Sequence, residues 1–280
     1  MIEADFQARL QRRIDQHGPL CLGIDPSADA LATCGLPNTA HGALDFGIRM
    51  LAAAAYRLAI VKPQSAFFER FGSPGIRALE ELITQARRRE VLVLLDAKRG
   101  DIDTTAEAYA EAYFSPSSPL KVDAVTLHPY LGLRALAAAI RFAVRNGGGV
   151  FIVVRSSNPE GQALQTARLA DGRTVADSLC ADIAVLNREL GGAAVGPIGA
   201  VVGATCDDAA AIVAALPHSF ILAPGVGVQG ATIKDVGIRM GQARGRILPS
   251  TSRSILASGC GPRELSATIR QLQAEARALT

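Results

Sequence analysis

Short apolar runs alternate with helical patterns along the whole chain, and this alternation constrains the fold more than any other feature. The apolar runs predict strands at residues 20–24, 58–61, 91–95, 123–127, 150–154, 198–202, 220–223 and 246–248. Helical periodicity follows most of these runs and also covers residues 3–17, while residues 26–40 and 160–172 read as loops. Alternating strands and helices imply a sheet of parallel strands.

Eight strand-then-helix units fit a (β/α)8 TIM barrel with an extra N-terminal helix better than an open doubly wound sheet, which is the alternative. Composition suits a large core, since 49% of residues are hydrophobic, 20% are charged and Trp is absent. No linker or change of composition divides the chain. We therefore predict one domain over residues 1–280.

Charge and targeting signals limit the classes of partner. The net charge of +3 is too small to indicate nucleic acid but is compatible with an anionic small molecule. The only basic run, residues 87–89, ends a helical segment and is interpreted as complementing the helix dipole. There is no apolar secretory segment and no long apolar stretch. We expect no membrane partner, no nucleic-acid partner and a cytoplasmic location.

The five cysteines give no signal for a disulfide framework or a zinc site. They are odd in number and none forms a C-x-x-C pair. We therefore expect reduced thiols and no metal.

The strongest chemical signal lies where the third strand ends. The run VLVLL leads directly into Asp96, Lys98 and Asp101. If the strand continues, Asp96 and Lys98 point to the same side, because side chains alternate with a period of two. Charges there are costly to bury unless they pair or perform chemistry. The alternative is a structural ion pair followed by a helix N-cap at Asp101 or Asp103.

Other predicted strands also end in polar residues, where TIM-barrel active sites form. These residues are Asp25, Lys62, the doublet Ser156–Ser157, Gln229 and Arg253. The segment PGVGVQG at 224–230 and Arg253 follow the last two strands, and together they favour a phosphate site. The alternative is a tight turn and a surface ion pair.

The motifs LCLGIDP, VKPQSAFFE, LLDAKRGDI, RSSNP, PGVGVQG and TSRSI, taken in order, resemble the orotidine 5′-monophosphate decarboxylase family, in particular its longer branch with the signature D-A-K-R-G-D-I. The resemblance implies a TIM barrel that acts as a homodimer, without cofactor or metal, in the last step of pyrimidine nucleotide synthesis. It implies that Lys98 protonates C6 of the pyrimidine within an array of Lys62, Asp96, Lys98 and Asp101.

Further roles are implied by the same resemblance. Asp101, with Thr105 nearby, reaches the neighbouring subunit's site. Asp25 and Lys62 hold the ribose hydroxyls, and Ser157 bonds the pyrimidine amide, although the Ser156–Ser157 doublet leaves that contact ambiguous. Pro224, Gln229 and Arg253 belong to the phosphate-binding region. Residues 158–172 and 225–231 are the candidate lids.

The sequence departs from the family pattern at Asp103, where glycine is usual, so the turn geometry there is open. His128 is interpreted as structural, with a place at the rim as the alternative. Three rival functions are weighed: a metal-dependent sugar-phosphate decarboxylase or aldolase of the same superfamily, a Schiff-base aldolase, and a non-catalytic barrel that binds a phosphoribosyl ligand.

Overall fold

Eight parallel strands close into a barrel in the computed structural model, which describes residues 5–191, 194–227 and 230–280. The strands are β1 Cys21–Ile24, β2 Ile60–Pro63, β3 Leu92–Arg99, β4 Ala124–Leu127, β5 Gly149–Arg155, β6 Ile198–Val202, β7 Ile221–Ala223 and β8 Ile247–Thr251. Each strand pairs with the next, and β8 pairs with β1. The TIM-barrel prediction is confirmed, and the open doubly wound alternative is wrong.

Twelve α-helices surround this barrel in the described ranges. They are α1 Phe6–His17, α2 Ala28–Thr33, α3 Ala40–Ala53, α4 Ala66–Glu69, α5 Ser73–Arg87, α6 Asp103–Phe114, α7 Ala137–Arg145, α8 Pro159–Gln165, α9 Val175–Gly191, α10 Ala209–Ala214, α11 Ile233–Arg239 and α12 Pro262–Ala276. Helices α2 and α8 lie where loops were predicted. Ser27 stabilises the start of α2 as its N-cap, because its hydroxyl accepts a hydrogen bond from the Ala30 amide. Pro159 begins α8, at a position where a missing N–H costs nothing.

Helix α1 closes the amino end of the barrel. Its buried residues Phe6, Leu10 and Ile14 join the cluster of side chains inside the strands. The Phe6 ring meets the Phe151 ring edge to face, with centroids 6.2 Å apart. The predicted extra N-terminal helix therefore seals one end of the barrel, which leaves the carboxyl ends of the strands as the open end.

A disulfide joins Cys34 and Cys260, whose Cα atoms are 5.1 Å apart. The expectation of reduced thiols is wrong for this pair and holds for Cys21, Cys180 and Cys206, which are free and buried. Spacing could not reveal the bond, because its cysteines are 226 residues apart and meet only when the last strand pairs with the first.

Removing this bond should destabilise the fold. Replacing Cys34 and Cys260 with serine should lower the free energy of unfolding by about 2–5 kcal/mol, because the bond closes most of the chain into one loop. Denaturant titration measures the loss. Dithiothreitol should reproduce it in the wild-type chain and have no further effect on the double variant; an unchanged wild-type midpoint would show that the two thiols are free.

Candidate active site

Asp96 lies at the centre of a charged cluster at the open, carboxyl end of the barrel. Its Oδ2 accepts a hydrogen bond from Lys62 Nζ at 3.0 Å, and its Oδ1 accepts one from Lys98 Nζ at 2.5 Å. The Thr126 hydroxyl donates a third bond to Oδ1 at 2.8 Å. Strand β2 contributes Lys62, β3 contributes Asp96 and Lys98, and β4 contributes Thr126. The structure brings Lys62, Asp96 and Lys98 together, as the sequence analysis expected.

Pairing overcomes the cost of burying these charges. Burial alone would raise the pKa of Asp96, but Lys62 and Lys98 outweigh it and lower that pKa to about 2. Burial would likewise lower the pKa of Lys62, but Asp96 and then Asp25 raise it above the usual value. Asp96 and Lys62 are therefore both charged at neutral pH.

Thr126 belongs to this cluster and was missed by the sequence analysis. Besides bonding Asp96, its Oγ1 accepts the Lys98 backbone N–H at 3.0 Å. Lys98 has a φ of 45°, a left-handed conformation that a non-glycine residue adopts at a cost. The available signal was a single hydroxyl within the apolar strand AVTL, since a buried hydroxyl requires a partner.

A cavity of about 190 Å³ opens beside the cluster at the carboxyl ends of the strands. It is lined by five predicted site residues, namely Asp25, Lys62, Asp96, Pro224 and Arg253. Gln64, Ser250 and Ser252 add polar side chains to the lining, and Gly225 and Val226 also line it.

Asp25 presents an unsatisfied atom in this region. Its Oδ1 is buried and has no hydrogen-bond partner among the described residues. An unpaired buried carboxylate oxygen is costly, so a donor from a ligand would relieve it. The cavity therefore contains an acceptor suited to a hydroxyl group.

The lining residues that follow β7 and β8 suit an oxyanion. Gly225 and Gly227 have φ values of 100° and 91°, which favour glycine, and a Cβ at Gly227 would lie 2.6 Å from the Ser254 side chain. Arg253 is exposed and has no carboxylate within 4.0 Å in the described part of the chain, so the alternative of a surface ion pair is not observed there. Gln229 lies outside the described residues.

Asp101 and Thr105 do not join the cluster within one chain. Asp101 Oδ1 accepts the Ile102 amide at 2.8 Å, and no described cation lies within ion-pair distance of it. Thr105 is exposed on α6. Neither residue lines the cavity in the described structure.

The loop after β5 carries Ser156 and Ser157, and neither lines the described cavity. Ser156 Oγ donates to Asn158 Oδ1 at 2.6 Å and accepts from Gln165 Nε2 at 2.9 Å, so its hydroxyl is engaged. Arg155 anchors this loop, because its Nε donates to both oxygens of Asp208 at 3.0 and 3.2 Å.

Two positions left open by the sequence are resolved. Asp103 begins α6 with a φ of 48°, the left-handed region that favours glycine. His128 is exposed, does not line the described cavity, and accepts the Tyr130 amide at its Nδ1 at 3.2 Å. These observations favour a structural role for His128.

Within the ranges described, no group of three His, Cys, Asp or Glu side chains is arranged to hold a metal ion. The carboxylate at the centre of the cluster is already bonded by two ammonium groups, so a cation there would meet positive charge.

Known proteins resemble this chain over nearly its full length. A model of the Orotidine 5′-phosphate decarboxylase / HUMPS family matches residues 18–269. The Orotidine 5′-phosphate decarboxylase of Salinispora arenicola is 48% identical over 98% of this chain and 97% of its own length. That of Myxococcus xanthus is 42% identical over 98% and 95%.

Solved structures agree with these relatives. A candidate orotidine 5′-phosphate decarboxylase from Streptomyces avermitilis superposes with a TM-score of 0.92 at 42% identity, covering 100% of this chain and 97% of that one. The OMP decarboxylase of Leishmania donovani gives a TM-score of 0.78 at 30% identity, over 97% and 99%. By its motifs, its barrel and these likenesses, the chain belongs to the orotidine 5′-phosphate decarboxylase family.

Proposed function

We propose that this chain decarboxylates orotidine 5′-monophosphate to uridine 5′-monophosphate and CO2, with Lys98 as the proton donor. The observation that carries the proposal is the Lys62–Asp96–Lys98 cluster at the open end of the barrel. When the bond between C6 and the carboxylate breaks, its electron pair stays on C6. A proton from Lys98 Nζ then forms the new C6–H bond, and water returns a proton to the amine.

Preorganised charge supplies the stabilisation in this scheme. The electron pair at C6 lies in the plane of the ring, where resonance stabilises it poorly. An ammonium group already held by Asp96 meets that charge as it develops, without reorganisation. Lys62 and Thr126 also bond Asp96, so the carboxylate that holds the Lys98 ammonium keeps its orientation.

The rest of the nucleotide would extend along the cavity. Asp25 Oδ1, buried without a partner among the described residues, is suited to accept a ribose hydroxyl, with Lys62 beside it. Arg253 and the backbone after Pro224 are suited to the phosphate. Ser157 remains the proposed pyrimidine contact because it directly precedes Asn158–Pro159 in the motif RSSNP. Gln229 and Thr105 also remain predicted substrate contacts, and we propose that no metal or cofactor takes part.

The rival functions fit the cluster less well. A Schiff-base lysine must be neutral to attack a carbonyl, whereas the pKa of Lys62 is raised by Asp96 and Lys98 is paired to the same carboxylate. A metal-dependent decarboxylase requires free carboxylates for its ion. A carbon dioxide release assay on orotidine 5′-monophosphate with excess EDTA tests both rivals and the binding-only alternative, because only the proposed enzyme turns over under these conditions.

A homodimer with Asp101 crossing into the partner's site is also proposed. Apolar side chains are exposed around this position: Ile102 by 48%, Tyr130 by 71% and Leu131 by 54%. The loops that carry them are joined, since the His128 amide donates to the Arg99 carbonyl at 2.8 Å. An apolar patch beside a charge that has no ion-pair partner in the described chain favours an interface.

Location and domain organisation stay predictions. We propose that the chain acts as one domain in the cytoplasm, with no nucleic-acid or membrane partner. The described helices include none that is long and apolar enough to cross a bilayer. The Cys34–Cys260 disulfide argues against a cytoplasmic location, because disulfides are rare in reducing compartments. Trapping free thiols at the moment of cell lysis shows whether this disulfide is present in the cell.

Lys98→Ala should abolish decarboxylation while leaving product binding intact. The rate should fall by about 10⁴-fold or more, because the variant loses both the proton donor and the charge at C6. Loss of absorbance by orotidine 5′-monophosphate reports the rate, and calorimetry with uridine 5′-monophosphate reports binding. Turnover near the wild-type rate would refute the assignment.

Thr126→Val should lower kcat with little change in KM. The isosteric variant removes both hydrogen bonds that orient Asp96 and Lys98, and such misplacement costs roughly 10- to 100-fold. Thr126→Ser keeps the hydroxyl and should restore kcat to within a few-fold. Equal losses in both variants, or a loss confined to thermal stability, would show that Thr126 serves only the core.

Mixing two inactive variants tests the shared site. Chains carrying Lys98→Ala and chains carrying Asp101→Ala should regain activity after subunit exchange. Each mixed dimer then holds one intact site, so about one quarter of the wild-type sites are restored at equal mixing. Mass spectrometry verifies that exchange has occurred; exchange without recovered turnover would contradict a site built from two subunits.

A further inference from the structure

A second, larger concave region lies at the closed end of the barrel. A groove of about 760 Å³ runs between α1 and the C-terminal end of α5. Five arginines line it: Arg9, Arg12 and Arg13 on α1, and Arg87 and Arg88 at the end of α5. This groove is at the opposite end from the cavity that holds Asp25 and Arg253, and the proposed decarboxylation makes no use of it.

Two of the arginines are fixed by the protein. Arg9 forms an ion pair with Asp123 and donates to the Gly147 carbonyl at 2.8 Å. Arg13 donates to the carbonyls of Tyr56 and Leu58 at 2.7–3.0 Å. These bonds hold two guanidinium groups in the wall of the groove.

The side chains of the other three arginines make no hydrogen bond or ion pair within residues 5–191, 194–227 and 230–280. These residues are Arg12, Arg87 and Arg88, and all three are exposed. Only two carboxylates, Glu90 and Asp123, belong to the described lining, so five positive charges face two negative ones. The described lining therefore carries an excess of three positive charges.

Guanidinium groups that converge from two helices suit a ligand with several oxyanions in series. Each guanidinium can bond two oxygens of one phosphoryl group. The volume lies within the range of small-molecule pockets, about 300–1,000 Å³, and far exceeds that of one phosphate. The described lining contains no aromatic side chain on which bases of a single strand could stack, which favours a small ligand over nucleic acid.

We propose that this groove binds a polyphosphate anion, a ligand with at least two linked phosphoryl groups, either free or as part of a nucleotide. Arg12, Arg87 and Arg88 bond its oxygens, while Arg9 and Arg13 supply fixed positive charge behind them. The floor is made by Val91 and Leu92, which are buried, so the ligand contacts protein on more than one side.

Arg89 provides a matched control within the same basic run. Its guanidinium lies 4.5 Å from the centre of the Tyr56 ring and donates to Gln85 Oε1 at 2.6 Å, and it does not line the groove. Removing Arg89 deletes one charge at the same helix end without touching the proposed site. Diffuse attraction to a basic surface would treat all three arginines alike.

Calorimetry on the full chain tests the proposal in magnesium-free buffer with saturating uridine 5′-monophosphate, which occupies the active site. Inorganic tripolyphosphate should bind with one site per chain, and the single variants Arg87→Ala and Arg88→Ala should each weaken its Kd at least tenfold. Arg89→Ala should change Kd less than threefold. Adenosine 5′-triphosphate in a parallel titration separates the sources: tighter binding than tripolyphosphate identifies a nucleotide, and equal or weaker binding a free polyphosphate.

Three results would overturn the site. The first is no binding at millimolar tripolyphosphate, and the second is an equal loss of affinity in Arg87→Ala, Arg88→Ala and Arg89→Ala. The third is binding of single-stranded RNA, but not of tripolyphosphate, through Arg87 and Arg88. Circular dichroism and unchanged decarboxylation in each variant confirm that the barrel is intact.

Discussion

The Asp96 carboxylate, shared by two ammonium groups and a hydroxyl, is the interaction on which the site depends. Burying one carboxylate or one ammonium alone would cost several kcal/mol. Here Lys62, Asp96 and Thr126 are all buried, and both Lys62 and Thr126 donate hydrogen bonds to the Asp96 carboxylate. Removing Asp96 would leave Lys62 charged without its hydrogen-bonded partner and would release Lys98. The barrel makes the arrangement possible, because β2, β3 and β4 are neighbours and their carboxyl ends meet at one edge.

The two ends of the barrel are built differently. At the amino end, Phe6 and its helix fill the opening with apolar side chains, so that end contributes stability. At the carboxyl end the strands finish in charged groups around a cavity. The Cys34–Cys260 bond reinforces this open end. It ties the segment that follows β1, which begins with Asp25, to the segment that follows β8, which contains Arg253, and so restrains two parts of the lining of the same cavity.

Sequence predicted the barrel and the cluster because both rest on local patterns. Each strand is a short apolar run, and its polar end marks the mouth. What the sequence missed depends on distant contacts or on single residues. Thr126 is one hydroxyl among apolar neighbours, and its partners, Asp96 and Lys98, come from the adjacent strand. Cys34 finds Cys260 only after the barrel closes. Asp96 and Lys98 do meet as predicted, but strand alternation is not the whole reason, since Lys98 has a left-handed backbone held by Thr126.

The two lysines of the cluster are chemically alike but differ in access to water, and this difference supports different proposed roles for them. The Lys62 side chain is 8% exposed, and its ammonium is locked against Asp96. The Lys98 side chain is 46% exposed and reaches Asp96 from the open side. A group that gives up a proton in each cycle must regain one from solvent, and an exposed amine does so readily. A buried amine held by carboxylates keeps its proton and acts as fixed charge. We therefore propose that Lys62 positions Asp96 and stabilises negative charge, and that Lys98 donates the proton and regains one from solvent.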